Sequence, residues 1–367
     1  MSAVLDTLNP ADLRERFTAA RNAGKRARDA AHAVGVSEGA VLDAHTGEHA
    51  FNLKVISLQG PWLDVLQGVQ HVGEVMALTR NESTVHEKTG VYENVSANGG
   101  VGIALGEVID LRLFFMRWHA GYAVTELAND PANPPSQSLQ FYDAHGDAVH
   151  KIFVRPGTDL AAFKALVDKF AVPGKSYAFT PAPAPAVARP DADIDATGLA
   201  EGWANLKDTH EFFGLLRKFD VQRQQALAAV EGRFTARLET TAVRHLLDEA
   251  AMEATPIMVF VGNPGCIQIH SGPVKRIEPM VSPAARWINV LDAGFNLHLR
   301  EDMIVNIWAV EKPTADGVVT SIEVFDAREE LMVQFFGVRK PGLPELQSWR
   351  DLVAGVPRLG AKATASV

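Results

Sequence analysis

A single cysteine, Cys266, stands among 367 residues, so no intrachain disulfide can form and no zinc ribbon or CxxC redox motif is present. Positive charge is short. The 35 Lys and Arg face 44 Asp and Glu, a formal net charge of −9. That balance speaks against a polyanion coat or an anionic-membrane binder and gives nucleic-acid binding no support. No apolar run approaches the ~18 residues that span a bilayer. The opening MSAVLDTLNPADLRERF lacks a basic stretch followed by an apolar one, as a secretory leader would need. These absences predict a cytoplasmic protein without membrane insertion. Catalytic signatures are scarce too: there is no Walker A, HExxH or EF-hand pattern. Gly100, Gly102 and Gly106 sit between strand-like runs instead of opening a helix, and so read as turn and bulge glycines. His45 and His49 enclose Thr46-Gly47, a turn and not a metal-binding helix face. Cys266 reads as a small buried hydrophobe.

What is present is an ordinary globular mixture, 47% apolar and 22% charged. At roughly 100–200 residues per domain, the length suits two or three domains, or one unusually large one. Residues 172–198 are rich in Pro and Ala and poor in apolar periodicity, a semi-extended linker between residues 1–171 and 199–367. The two flanks repeat one another. Val75-Met-Ala-Leu78 with Asn81 matches Ile257-Met-Val-Phe260 with Asn263 at an offset of 182. Asp110-Leu-Arg-Leu113 matches Asn296-Leu-His-Leu299, and Tyr122-Ala-Val124 matches Trp308-Ala-Val310, both at 186. Ser138–Ala144 matches Ser321–Ala327 at 183. The drift is small enough to be loop insertion.

Each half opens with helical periodicity, Ala11–Ala33 and Asp64–His71 in the first, Leu199–Val230 and Thr241–Met252 in the second. Short β-type runs follow, such as Glu74–Leu78, Val108–Phe115, Tyr122–Leu127, Ser138–Asp143 and Val149–Val154, punctuated by Asn-Gly-Gly and His-Gly-Asp turns. Helices over Leu160–Phe170 and Pro344–Val353 close the halves. This order predicts an α+β fold with antiparallel sheets, internally duplicated, and not a Rossmann alternation.

Trp203, Leu206, His210 and Phe213 recur at helical spacing, which puts the imidazole on a packed apolar stripe. On the residues alone, such a histidine reads first as a core histidine satisfied by one hydrogen bond. Arg112, Arg223, Lys312 and Arg339, taken singly, read as solvated charges.

Together they carry a resemblance. Asn81-Glu-Ser-Thr-Val-His86-Glu-Lys-Thr-Gly90, the IDLR run ending at Arg112, Asp208-Thr-His210 with Phe212-Phe213, Arg223-Gln-Gln, Met258–Asn263, Lys312-Pro-Thr and Thr320-Ser321 occur in the order seen in the haemin-degrading and haem-trafficking family (HemS/ChuS type) of Gram-negative haem-uptake systems. The similarity runs over nearly the whole chain. It implies two large antiparallel sheets and one haem in a cleft between the halves. It further implies His210 as proximal ligand of the haem iron and Arg112 as the distal arginine, the two residues of any ring-opening chemistry. Arg223, Lys312 and Arg339 fall at cationic positions near the haem propionates, Phe260 and Gln334 line the pocket, and His86 matches an alternative ligand. Phe336 stands where relatives carry a tyrosine. Pairing Phe17 with Phe213 sets Arg14 opposite His210, which leaves one haem per chain, since a guanidinium offers iron no lone pair.

Two functions share this pocket: degradation of imported haem, with electrons from a partner reductase, and a non-enzymatic haem chaperone between a haem importer and a separate haem oxygenase. The sequence leaves enzyme against carrier open, along with the ring-opening product and the oligomeric state.

Overall fold

The computed structural model describes residues 9–128, 130, 132–339 and 342–360. The chain divides into two compact units. The N-terminal unit holds the residues up to Arg80, then Glu87–Pro183 and Gly262–Gln268. The C-terminal unit holds Asn81–His86, Ala184–Val261 and the residues from Ile269 on.

In the N-terminal unit a sheet runs in the order Leu53–Leu58, Ala120–Glu126, Ser136–Tyr142, Ala148–Thr158, Gly73–Arg80, every pairing antiparallel. Alternation along these strands sends Leu139, Ile152, Val75 and Ala77 into one core, where helices Trp62–Val69 and Leu160–Phe170 bury Val65, Leu66, Val69, Phe163 and Val167. Asp159 starts the second of these helices by accepting from the amides of Ala161 and Ala162. Tyr122, Val124 and Tyr142 belong to a second cluster that includes Leu42 of helix Glu38–Ala44. A meander, Ser96–Asn98, Val101–Leu105 and Asp110–Phe114, extends the unit.

The C-terminal unit repeats the plan. Thr235–Leu238, Asn306–Thr314, Gly317–Phe325, Leu331–Gly337 and Ile257–Asn263 pair antiparallel in that order. One core buries Ile322, Val324, Val333, Phe335 and Val259 against helices Ala242–Met252 and Gln347–Gly355. Another packs Trp308, Val310 and Phe325 against Leu199, Trp203, Phe212 and Leu216, from helices Ala196–Ala204 and Phe212–Phe219, and against Leu227 of helix Arg223–Ala229. A meander again follows, Ile277–Ser282, Ala285–Asp292 and Phe295–Arg300. The duplicated α+β architecture expected from the sequence is present, with two large antiparallel sheets. Among the described residues, no helix is long and apolar enough to cross a membrane.

The repeat extends to turn chemistry. Asn81 accepts through Oδ1 from the amides of Ser83 (3.1 Å) and Thr84 (2.9 Å), while its Nδ2 donates to the Met332 carbonyl at 2.9 Å. Asn263 accepts from Gly265 and Cys266, both at 3.0 Å, and donates to Val149 at 2.9 Å. The side-chain amide of asparagine offers both halves of this pattern, an acceptor oxygen and a donor nitrogen.

Two expectations need correction. The helical run over Ala11–Ala33 is two helices, Pro10–Asn22 and Ala27–Ala33, parted at Gly24, whose φ of +86° favours glycine. The run over Leu199–Val230 is broken more severely, after Ala204 and again at Asp220, which takes φ +52°. Periodicity carries across both breaks because each short helix still buries one face. The strands Leu53–Leu58 and Thr235–Leu238 and the helix Glu38–Ala44 are too short to stand out by pattern.

Candidate functional site

The centre of the C-terminal unit's sheet holds a buried carboxylate. Glu323, on Gly317–Phe325, is fully buried. Its Oε2 accepts from Arg223 Nε at 2.7 Å, and its Oε1 accepts from Arg223 Nη2 (2.8 Å), Lys312 Nζ (2.9 Å), Gln334 Nε2 (3.0 Å) and Ser321 Oγ (3.3 Å). Strand register builds this hub. Glu323 lies opposite Gln334, and Gln334 opposite Phe260 on the next strand, so all three point to one face. Arg223 comes from the first position of its helix. Burial alone would push the Glu323 carboxyl up, but the Arg223 guanidinium and Lys312 ammonium hold it well below the carboxylate range. Burial lowers the Lys312 pKa, with Glu323 opposing and Arg223 adding to the shift. Aromatic rings frame the cations: Arg223 lies over Phe212 (5.2 Å) and Phe213 (5.7 Å), and Lys312 over Phe212 (4.5 Å). Phe260 and Phe336, both half-buried, pack at 4.9 Å between ring centres.

His210 is not where its periodicity puts it. It lies in the 3-10 turn Thr209–Glu211, with 92% of its side chain exposed. Trp203 and Leu206 are buried, but the helix of Trp203 ends at Ala204, and Phe213 is 61% exposed. Phe17, its expected counterpart, is buried. The turn instead fixes the imidazole by a carboxylate. Asp208 Oδ1 accepts from the His210 amide at 2.7 Å and from Nδ1 at 2.5 Å. Those two hydrogen bonds hold the Asp208 carboxyl below its ordinary range, and the charge of Arg339 contributes. With the proton on Nδ1, the Nε2 lone pair faces outward, the arrangement of a histidine ready to ligate a metal.

Arg112 lies on Asp110–Phe114 in the N-terminal unit, with its side chain 35% exposed and paired to Asp110 two residues back on the same strand face. His86 is fully buried in the C-terminal unit, its ring 5.0 Å from that of Phe295. That position does not present it to a large ligand. The structure thus gathers Arg223, Lys312, Gln334, Phe260 and Phe336 within the C-terminal unit, and Asp208 feels the charge of Arg339. Glu323, which organises the group, was not legible as functional; its signal was an acid flanked by Ile322 and Val324 in a strand. Gly35-Val-Ser37-Glu-Gly39 also has nucleophile-elbow spacing, but Ser37 Oγ accepts from the Ala40 amide as the cap of helix Glu38–Ala44. Among the described residues, no group of three or more His, Cys, Asp or Glu side chains is placed to hold a metal ion.

Comparison with known proteins gives this arrangement its context. The family model of the haemin-degrading HemS.ChuX domain matches twice, over residues 35–170 and 220–356. The hemin transport protein HmuS of Yersinia pestis is 38% identical over 337 residues, covering 91% of this chain and 94% of that protein. Among solved structures, holo-PhuS, a heme-binding protein from Pseudomonas aeruginosa, superposes with a TM-score of 0.89 at 42% identity, covering 96% of this chain and 100% of that one. The heme degrading enzyme ChuS of Escherichia coli O157:H7 superposes with a TM-score of 0.85 at 32% identity, covering 95% and 100%. Duplicated fold, motif order and near full-length similarity agree, and the chain belongs to the HemS/ChuX haemin-degrading family.

Proposed function

We propose that this chain takes up imported haem in the cytoplasm and commits it to iron release, by opening the ring itself or by passing it to a separate haem oxygenase. Its relatives carry both kinds of name, a heme-binding protein and a heme oxygenase. The observation that carries the proposal is the His210–Asp208 pair. Haem brings four equatorial nitrogens, so one protein histidine suffices, and it is best supplied with Nδ1 already engaged. The porphyrin is an apolar disc with two carboxylates on one edge. Phe213, Phe260 and Phe336 offer exposed or half-buried aromatic surface, and Arg223, Lys312 and Arg339 supply the cations. Phe336 provides no hydroxyl, so this position adds no hydrogen bond to the carboxylates. Arg112 takes the distal role implied by the family, as a donor that cannot itself ligate iron. A buried His86 does not compete with His210 in this conformation.

Titration of the purified chain with haem, followed in the Soret band, tests the reading. One haem per chain is expected, and His210→Ala weakens binding at least about tenfold or changes the axial-ligand spectrum. Wild-type affinity and spectrum in that variant would remove His210 as the ligand. Adding a reductant to the loaded protein, with catalase present to remove free peroxide, separates the two fates. A tetrapyrrole product that slows in Arg112→Ala marks the enzyme. Intact haem that moves rapidly to a haem oxygenase marks the carrier.

A further inference from the structure

We infer that Glu323 is a positioning residue, which holds Arg223 and Lys312 on the sheet face so that their remaining protons recognise a single carboxylate of the ligand. The inference rests on the haem reading above.

The geometry leaves a defined set of donors. Arg223 commits Nε and Nη2 to Glu323, and Nη1 makes no hydrogen bond within the described residues. Lys312 commits one of its three protons to Glu323, while Phe212 covers the ammonium as a ring. Two cations and one anion leave one positive charge, which one carboxylate neutralises. Without Glu323, two long side chains would each lose the partner that fixes their direction, and two cations would face each other in a buried place.

The N-terminal unit supplies an internal control. The family matches begin at residues 35 and 220, which sets Glu38 opposite Arg223, each the first residue of a seven-residue helix. The offset of 183 sets Gln140 opposite Glu323 and Lys151 opposite Gln334. The charges are thus inverted. Glu38 accepts from Lys151 Nζ at 2.9 Å and from Arg80, and Gln140 is engaged with Ser138 (3.0 Å) and Tyr142 (2.6 Å). A ligand carboxylate there would meet Glu38 where the C-terminal unit offers a guanidinium. Carboxylate recognition therefore belongs to the unit that has Glu323.

Among the described residues, the charged groups acting on Lys312 are Glu323 from the neighbouring strand and Arg223 from the helix. Glu323 raises its pKa, whereas burial and Arg223 lower it. Glu323→Gln keeps the shape but removes the charge that favours the ammonium, so Lys312 gives up its proton at a lower pH than in wild type.

The test measures the affinity of the intact protein for haem and for haem dimethyl ester at pH 6 and pH 8.5. Wild type is expected to prefer the free acid by about tenfold or more at both pH values. In Glu323→Gln that preference falls several-fold between pH 6 and pH 8.5, and Glu323→Gln/Lys312→Met shows no such fall. A preference in Glu323→Gln equal to wild type at both pH values overturns the inference. Should Glu323→Gln lack a cooperative melt, Lys312→Met decides: a free-acid preference as large as wild type overturns the inference, and a lost preference supports it. Failure of wild type to bind haem at all would instead overturn the functional reading beneath it.

Discussion

Two histidines of the N-terminal unit are neutral because they are buried. His45 is pushed down to about 4 by burial, against the opposing hydrogen bond to the Val41 carbonyl, with His49 and Arg14 adding to the shift. His150 is pushed down to about 3, also by burial, between the Thr79 hydroxyl (2.8 Å) and the Tyr92 hydroxyl (2.6 Å). Both ring nitrogens of His150 are engaged by hydroxyls, and protonating the ring would remove the one nitrogen able to accept from them. The unfolded chain binds these protons near pH 6.5 and the folded chain does not, so stability is complete above that value and falls as pH drops from 6.5 toward 4. For His45 the loss between pH 7 and pH 5 is about 2 kcal/mol. Urea midpoints at the two pH values should differ accordingly, and His45→Gln should reduce the difference; an undiminished difference would mean that His45 is not the proton acceptor. In the sequence His45 read only as the flank of a turn and the burial of neither histidine was visible, because burial of a titratable group is decided by packing partners far along the chain. His210 was legible through the family resemblance, yet its helical setting was misread: a period of 3.6 passes through a turn when the turn keeps the same apolar spacing. Glu323 was silent for the opposite reason, since its four partners lie on one helix and three strands.

At the scale of elements, the asparagine turns tie strands together that sequence order keeps apart. Asn263 Nδ2 donates to the Arg80 carbonyl as well as to Val149, each at 2.9 Å, so one amide satisfies two backbone acceptors. Asn263→Ala should cost about 1–3 kcal/mol in chemical denaturation. Asn263→Asp should cost at least as much, because its carboxylate still accepts from Gly265 and Cys266 but faces two carbonyl oxygens without a proton to give. A neutral Asn263→Asp would show that the amide donor contributes nothing. The repeat of Asn81 at Asn263 was visible in the sequence; the strand each amide reaches was not. The helix Gln347–Gly355 is anchored in a similar one-residue manner. Trp349 is fully buried, its indole donates to the Thr320 carbonyl at 3.1 Å, and a Cβ on Gly337 would come within 2.5 Å of its ring. Gly337→Ala should displace that ring and cost about 1–3 kcal/mol, read from the same denaturation curves.

At the scale of the molecule, the Pro/Ala stretch is the visible seam, but it is not a free tether. Its early part is bound to the N-terminal unit, where the Tyr177 amide donates to Asp43 at 2.8 Å. Its later part is bound to the C-terminal unit, where Gln225 donates to the Arg189 carbonyl at 2.6 Å. More consequential is that each unit contains a segment from the other half of the sequence, Asn81–His86 in the C-terminal unit and Gly262–Gln268 in the N-terminal one. The repeat offset reveals that these segments correspond, but correspondence does not say in which unit each one packs, so the exchange could not be read from the sequence. It changes what a fragment should do. A chain of residues 184–367 lacks Asn81, whose amide serves Met332, and Ser83, whose carbonyl accepts from the Arg300 amide at 2.9 Å. It retains Gly262–Gln268, with the fully buried Cys266, and has no unit in which to bury it. The two segments are equivalent in the repeat, so that of a second copy can fill the place left by Asn81–His86. The fragment alone should therefore form a concentration-dependent, segment-swapped dimer, and mixing it with residues 1–183 should convert it to a one-to-one complex. Sedimentation equilibrium distinguishes these species. A fragment that stays monomeric at high concentration and unfolds cooperatively would show that Asn81–His86 is dispensable to the C-terminal unit.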